Sequence, residues 1–416
     1  MDPILEKLAS FTIYNKPIET QDSNPVIDPT VFPELESQLA TIIANDDDFI
    51  SLLLFLLEHI PLEIDFNVLT STETHFHQLC LSTRKMYKLN LNSKLENRYD
   101  HSSQSQSILQ HIFQNAQVKT LEELLRIKQN IQQIFNRLTP LLLKTTYTQY
   151  PVAIELFVRI VKCLDQPTLT ESFDLIFSVC LITLDDPSID MKLVSLYLLD
   201  HLQKHCTSTE LLLFNRANVI MYGLEQNLHR RNDPMPFFEC LLATTYRWMI
   251  ILENETYSGK HLFIRTSQLI EKLIRDAILE TNIEYRRCLL RILKFYTIRL
   301  QLFATRHLNH FLELLDDSID NRSLRNQSLE VLMTILRTLE PRVNVHRLDI
   351  MKIIIRCLFR IFHEEQNNHS QIMLVKTCLD ELQSSTTENY VQDAFQSLIK
   401  TTDLDLSYRE FLRQFV

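Results

Sequence analysis

Apolar residues in this chain recur at spacings of three and four, the period of an amphipathic helix, and short polar corners interrupt them. Over 120–138, Leu124, Ile127, Ile131, Ile134 and Leu138 form one such stripe, and Thr120 with Glu123 makes a capping box at its start. Pro140 ends or bends that helix. Helices are also predicted over 34–44, 47–60 and 73–91. Residues 15–33 hold four prolines among polar neighbours and read as an extended arm or linker, whereas the serine-rich 97–107 reads as a mobile polar loop.

One corner is echoed along the chain. In LDDPSIDMKLVSLYLL, from Leu184, a helix ends, Asp186 is placed to cap the next and Pro187 suits its first position. The incoming helix then carries Met191-Lys192, Ser195-Leu196 and Leu199. Tyr285-Arg286 and Leu324-Arg325 repeat the hydrophobic–basic pair with matching residues downstream, the latter after an Asp316-Asp317 corner. Asp233-Pro234 repeats the Asp-Pro corner with Phe238 as anchor, and weaker copies start at Val152 and Ser370. The anchors 152, 191, 238, 285, 324 and 370 are therefore 39, 47, 47, 39 and 46 residues apart. That matches the two-helix HEAT or armadillo repeat of about 40–47 residues better than the 34-residue tetratricopeptide repeat. Asp186, Pro187, Lys192, Asp233, Pro234, Arg286, Asp317 and Arg325 are the corner residues of this array, and their expected role is structural.

Composition sharpens the picture. The chain of 416 residues has 2 glycines, Gly223 and Gly259, where average usage would give roughly 29. Sheets with tight primed turns and phosphate-cradling loops need glycine, and helices joined by polar corners do not. No GxGxxG, P-loop, GxSxG or DFG motif can be written with it, which removes dinucleotide-binding, P-loop, α/β-hydrolase and protein-kinase sites. The net charge of −10 supplies no basic field for nucleic acid or an anionic membrane, and no apolar run approaches a bilayer span. The start lacks a secretory signal's basic and apolar regions, and the 8 cysteines, none in a CxxC pair, read as reduced core residues of a cytosolic or nuclear protein.

Histidine clusters offer the main alternative chemistry. His75, His77 and Cys80 would need a loop to converge on a metal, because i and i+2 of a helix diverge. His201 and His205 have zincin spacing, but Leu202 stands where the general base belongs. His307, His310 and Glu313 lack a completing cluster. No cofactor or metal is expected. Charge gives one further signal: residues 260–299 hold nine Lys/Arg against four Asp/Glu, and Arg287, Arg291 and Lys294 share a stripe there. That stripe is a solvated face or a docking patch for an acidic partner segment.

The segment 181–252 resembles the Tel-two-interacting protein two family, HEAT-type subunits of the Triple-T complex. The Leu-Asp-Asp corner with its Lys helix, the Gly223-Leu224-Glu225 turn with Asn227-Leu228, and the helix pair after Asp-Pro carry the resemblance over about 70 residues. Members of that family often carry a glycine ahead of the second helix, where this chain has Asn215-Arg216-Ala217. The resemblance implies a non-enzymatic subunit assembling with Tel-two and Tti-one homologues. With Hsp90 co-chaperones, that complex supports maturation of phosphatidylinositol-3-kinase-related kinases. Another HEAT-repeat adaptor, for transport or phosphatase scaffolding, and a helical metal-dependent enzyme are the other readings. The expected architecture is all-α: an arm over 1–33, a helical region over 34–107 and a HEAT/armadillo-like solenoid over 108–416.

Overall fold

The computed structural model describes Thr12 and residues 15–16, 31–44, 46–61, 63–64, 87–88, 102–128, 131–228, 234–254, 263–364, 369–386, 389–400 and 404–415. Among the described residues the fold is all-α apart from a two-residue antiparallel pair, β1 (Glu63–Ile64) against β2 (Tyr87–Lys88), with Glu63 opposite Lys88. The helix expected over 73–91 thus meets a strand at 87–88, and the rest of it lies outside the described residues. The chain divides into two compact units, 1–251 and 252–416.

In the first unit, the first helices among the described residues are α1 (Val31–Ala44) and α2 (Asp46–Glu58). Helix α1 starts three residues ahead of the expected 34, with Pro33 in its first turn, where the missing donor is no loss. The apolar run of α2 is wholly interior, Leu52 to Leu57 each being at most 2% exposed. Helix α3 spans Ser102–Asn115, so the segment read as a polar loop is helical from Ser102 onward, and 97–101 lie outside the described residues. Polarity misled there: Ile108, Leu109 and Ile112 set the buried stripe, and Ser105 lies within it.

Then come α4 (Leu121–Lys128), α5 (Ile131–Leu138), α6 (Pro151–Lys162), α7 (Phe173–Leu184), α8 (Ile189–His205), α9 (Arg216–Leu228) and α10 (Met235–Asn254). Thr120 caps α4 by accepting from the Glu123 N–H at 3.2 Å, and Glu123 accepts from the Lys119 N–H at 2.7 Å. Helix α8 packs on both α7 and α6, α9 packs on α7, and α2 packs on α6.

The second unit contains α11 (Ile264–Leu279), α12 (Ile283–Leu300), α13 (Leu308–Ser318), α14 (Arg322–Thr338), α15 (Arg347–His363), α16 (His369–Ser385), α17 (Tyr390–Ile399) and α18 (Leu406–Leu412). Helices α11, α13 and α15 pack in one row and α12, α14 and α16 in a second, with α11–α12, α13–α14 and α15–α16 paired across the rows. This is the solenoid arrangement, in which a hairpin that cannot bury its own apolar face stacks on the next. All six sequence anchors fall in the first turn of a helix: Val152 in α6, Met191 in α8, Phe238 in α10, Tyr285 in α12, Leu324 in α14 and Ser370 in α16. Among the described residues, no helix is long and apolar enough to cross a membrane.

Candidate interaction surface and the corner ladder

The three corner cations Arg325, Arg286 and Lys192 each reach a neighbouring repeat. Arg325 is fully buried; its Nε donates to the Ile319 carbonyl at 3.0 Å. Its two terminal nitrogens grip Glu364 as a fork, each at 2.8 Å, and Nη1 also reaches Gln371 Oε1 at 3.3 Å. The guanidinium therefore satisfies both the end of its own corner and a carboxylate one repeat on. Glu364 is held below the usual carboxylate range, chiefly by its bonds to Arg325. Arg286 pairs with Asp317, again across one repeat. Lys192 is 1% exposed and lies over the Phe237 ring, 5.3 Å from its centroid.

Asp186 and Pro187 sit slightly differently from their expected positions. The N-cap of α8 is Ser188, so Pro187 precedes the helix. Asp186, 5% exposed, accepts from the Ser188 N–H at 2.6 Å and from the Tyr147 hydroxyl. It braces the corner from within. Burial, followed by that bond to Asp186, pushes the Tyr147 phenol up to about 12. Asp316 and Asp317 lie in the last turn of α13 and cap nothing: Asn321 is the N-cap of α14, accepting from the Ser323 N–H at 2.9 Å. Asp316 instead meets Arg356 of α15 at 3.0 Å. Pro234 is exposed just before α10, and Asp233 lies outside the described residues.

In the basic stripe, Arg287 pairs with Glu284 at 2.6 Å and donates to the Ser323 carbonyl at 3.3 Å. Lys294 reaches Glu330 at 3.1 Å. Both therefore engage α14 as well as facing outward, and Arg291 lies between them on α12. The histidines separate similarly. His201 Nε2 bonds the Leu164 carbonyl at 2.9 Å, and its ring lies 4.4 Å from that of His205. Burial, and then His205, lower its pKa to about 4, so it is a neutral core imidazole. His307 points inward to the Ser267 hydroxyl at 2.7 Å, whereas His310 and Glu313 are exposed. His75, His77 and Cys80 lie outside the described residues. No group of three or more His, Cys, Asp or Glu that could hold a metal occurs among the described residues.

Two apolar features face outward instead. Ahead of α9, Phe214 is 83% exposed on a left-handed backbone (φ 53°), followed by Asn215 at φ 64°. Arg216 lies 4.3 Å from the Phe173 ring and 5.2 Å from that of Phe214, and pairs with Asp174. Val219 and Tyr222, one turn apart on α9, are 41% and 66% exposed and continue the patch. The second feature is a groove of about 580 Å³ in the second unit, lined by α15, α17 and α18. Periodicity alone missed both, because it marks which residues are apolar and not which stripe a neighbour leaves uncovered.

Comparison with known proteins gives one consistent signal. The chain is similar to TELO2-interacting protein 2 of Homo sapiens, 20% identical over 241 residues covering 56% of this chain and 47% of that protein. The corresponding proteins of Rattus norvegicus and Mus musculus are 21% and 22% identical over 235 residues, covering 54% of this chain and 45% of each. The resemblance drawn from 181–252 therefore holds, and the chain spans about half the length of the curated relatives it matches. No family model matches the chain, and no solved structure matches it.

Proposed function

We propose that this chain is a non-enzymatic scaffold subunit of a Triple-T-like complex, acting in the cytosol or nucleus. Its partners in this reading are homologues of Tel-two and Tti-one. Through Hsp90 co-chaperones, the assembly supports the maturation and stability of phosphatidylinositol-3-kinase-related kinases. The observation that carries the proposal is the similarity to TELO2-interacting protein 2 across more than half of the chain. The structure supports a binding role by its character: stacked helical pairs, corner cations joined to neighbouring repeats and exposed aromatic side chains. The histidine geometry favours the scaffold over the helical enzyme, since His201 and His307 each bond a core group.

Affinity purification of the tagged full chain tests the proposal. Recovery of Tel-two and Tti-one homologues at near-equal stoichiometry is the expected result. A chain recovered without either of them, or with transport or phosphatase subunits in their place, refutes it.

A further inference from the structure

In the second unit each long helix of the first row is met by the next: α11 by α13, and α13 by α15. Helix α15, 17 residues long, is followed by α17 and α18, of 10 and 7 residues. The shorter pair leaves the apolar stripe of α15 partly open. Leu348, Met351, Ile355 and Phe359 line one wall of the 580 Å³ groove, facing Leu398 and Tyr408. Leu348 is 73% exposed and Phe359 44%. The four wall residues on α15 stand at i, i+3, i+7 and i+11, with Leu348 and Phe359 exposed at the two ends, Ile355 half-buried and Met351 buried as the floor between them. An apolar stripe left open in this way is the seat that an amphipathic helix takes in a groove.

Charge selects the occupant. Arg347, Lys352, Arg356 and Arg360 flank this stripe on α15, against the single acid Asp349 on the same helix. From α13 and the corner after it, Asp316 and Asp320 face Arg356 and Arg360, while Lys352 is 70% exposed with Asp316 3.8 Å away. A basic rim along an apolar floor complements carboxylates beside apolar side chains. We infer that this groove docks a partner protein's amphipathic helix bearing leucine-type anchors flanked by Asp or Glu, which continues the row after α15. This inference does not depend on which complex the chain joins.

The test uses the full chain and a fluorescein-labelled synthetic helix as long as α15, with Leu at i, i+3, i+4 and i+7 and Glu on the flanks. A counterpart carries Lys for every Glu. Fluorescence anisotropy is expected to show saturable binding of the Glu peptide, at least about tenfold tighter than the Lys peptide and weakening with salt. Leu348→Asp should weaken it about tenfold and Lys352→Glu about threefold. Both positions are solvent-facing, so unchanged circular dichroism and melting will establish that the variants are folded. Equal binding of the two peptides, no binding of the Glu peptide, or unchanged binding in folded Leu348→Asp overturns the inference. So does a concentration-dependent dimer, seen by sedimentation, that Leu348→Asp dissociates, because the occupant is then a second copy.

Discussion

At the scale of single residues, two positions report how burial and backbone geometry constrain side chains. His201 is a neutral imidazole whose pKa falls from 6.5 to about 4, with burial the largest cause and His205 the next. Its folded value lies below its unfolded value, so the unfolded chain takes up a proton that the folded chain refuses. Stability is therefore intact above about pH 6.5 and declines as the pH falls toward 4, by up to about 1.4 kcal/mol per unit. Between pH 7 and pH 5 the loss should be about 2 kcal/mol. His201→Gln should be less stable at pH 7 but lack this component of the decline, as urea unfolding of both proteins at each pH will show. Asn215 has a different constraint. Left-handed backbone suits glycine first and asparagine next, so Asn215 holds this conformation at a low cost. Asn215→Gly should leave stability within about 0.5 kcal/mol, and Asn215→Val should cost about 1–2 kcal/mol. Equal melting temperatures for Asn215→Val and the parent would refute the strain argument.

At the scale of elements, the Gly223–Asn227 turn of α9 shows what the family-like motif does physically. A Cβ on Gly223 would lie 3.0 Å from a Leu184 methyl, so the glycine lets α9 approach the end of α7. One turn on, buried Asn227 donates to the Leu184 carbonyl at 3.2 Å and to the Gly223 carbonyl at 3.0 Å. The amide thereby satisfies a carbonyl that the helix end leaves open. Asn227→Ala should cost about 1–3 kcal/mol and Gly223→Ile at least as much, both measurable by chemical denaturation. The motif was visible in the sequence, but its role depends on a contact 43 positions away. The same distinction runs through the fold. Helix identity and the anchors were legible because burial imposes a period, which is why Leu324 and Met191 stand in first turns. Caps were less legible, because Asp186 and Ser188 compete within one corner, and Asp317 and Asn321 within another, and the surrounding contacts decide between them. Tyr147 draws Asp186 inward and leaves Ser188 at the cap. At 87–88 strand pairing replaced the expected helix, a choice that depends on Glu63–Ile64 rather than on local pattern.

At the scale of the molecule, four polar cross-links have nearly the same reach. Thr170 to Glu210, Lys294 to Glu330, Arg325 to Glu364 and Arg337 to Glu381 join residues 40, 36, 39 and 44 positions apart, one repeat step each. A structure tied this way has stability that is mainly a sum of repeats and nearest-neighbour interfaces, so damage at one interface should stay near it. Arg325 is the strongest place to test this, since its loss strips Glu364, Gln371 and the Ile319 carbonyl of a shared donor. Glu364 is 26% exposed and can rehydrate, which puts Arg325→Ala at the low end for a broken buried pair, about 3 kcal/mol. Arg325→Lys should recover only part of that, because a single ammonium cannot reproduce the fork. Hydrogen exchange read by mass spectrometry should show faster exchange in α13 to α16 of Arg325→Ala, with α6 to α8 unchanged. If α6 to α8 quicken equally, the two units unfold as one cooperative block, and the nearest-neighbour account of this array fails.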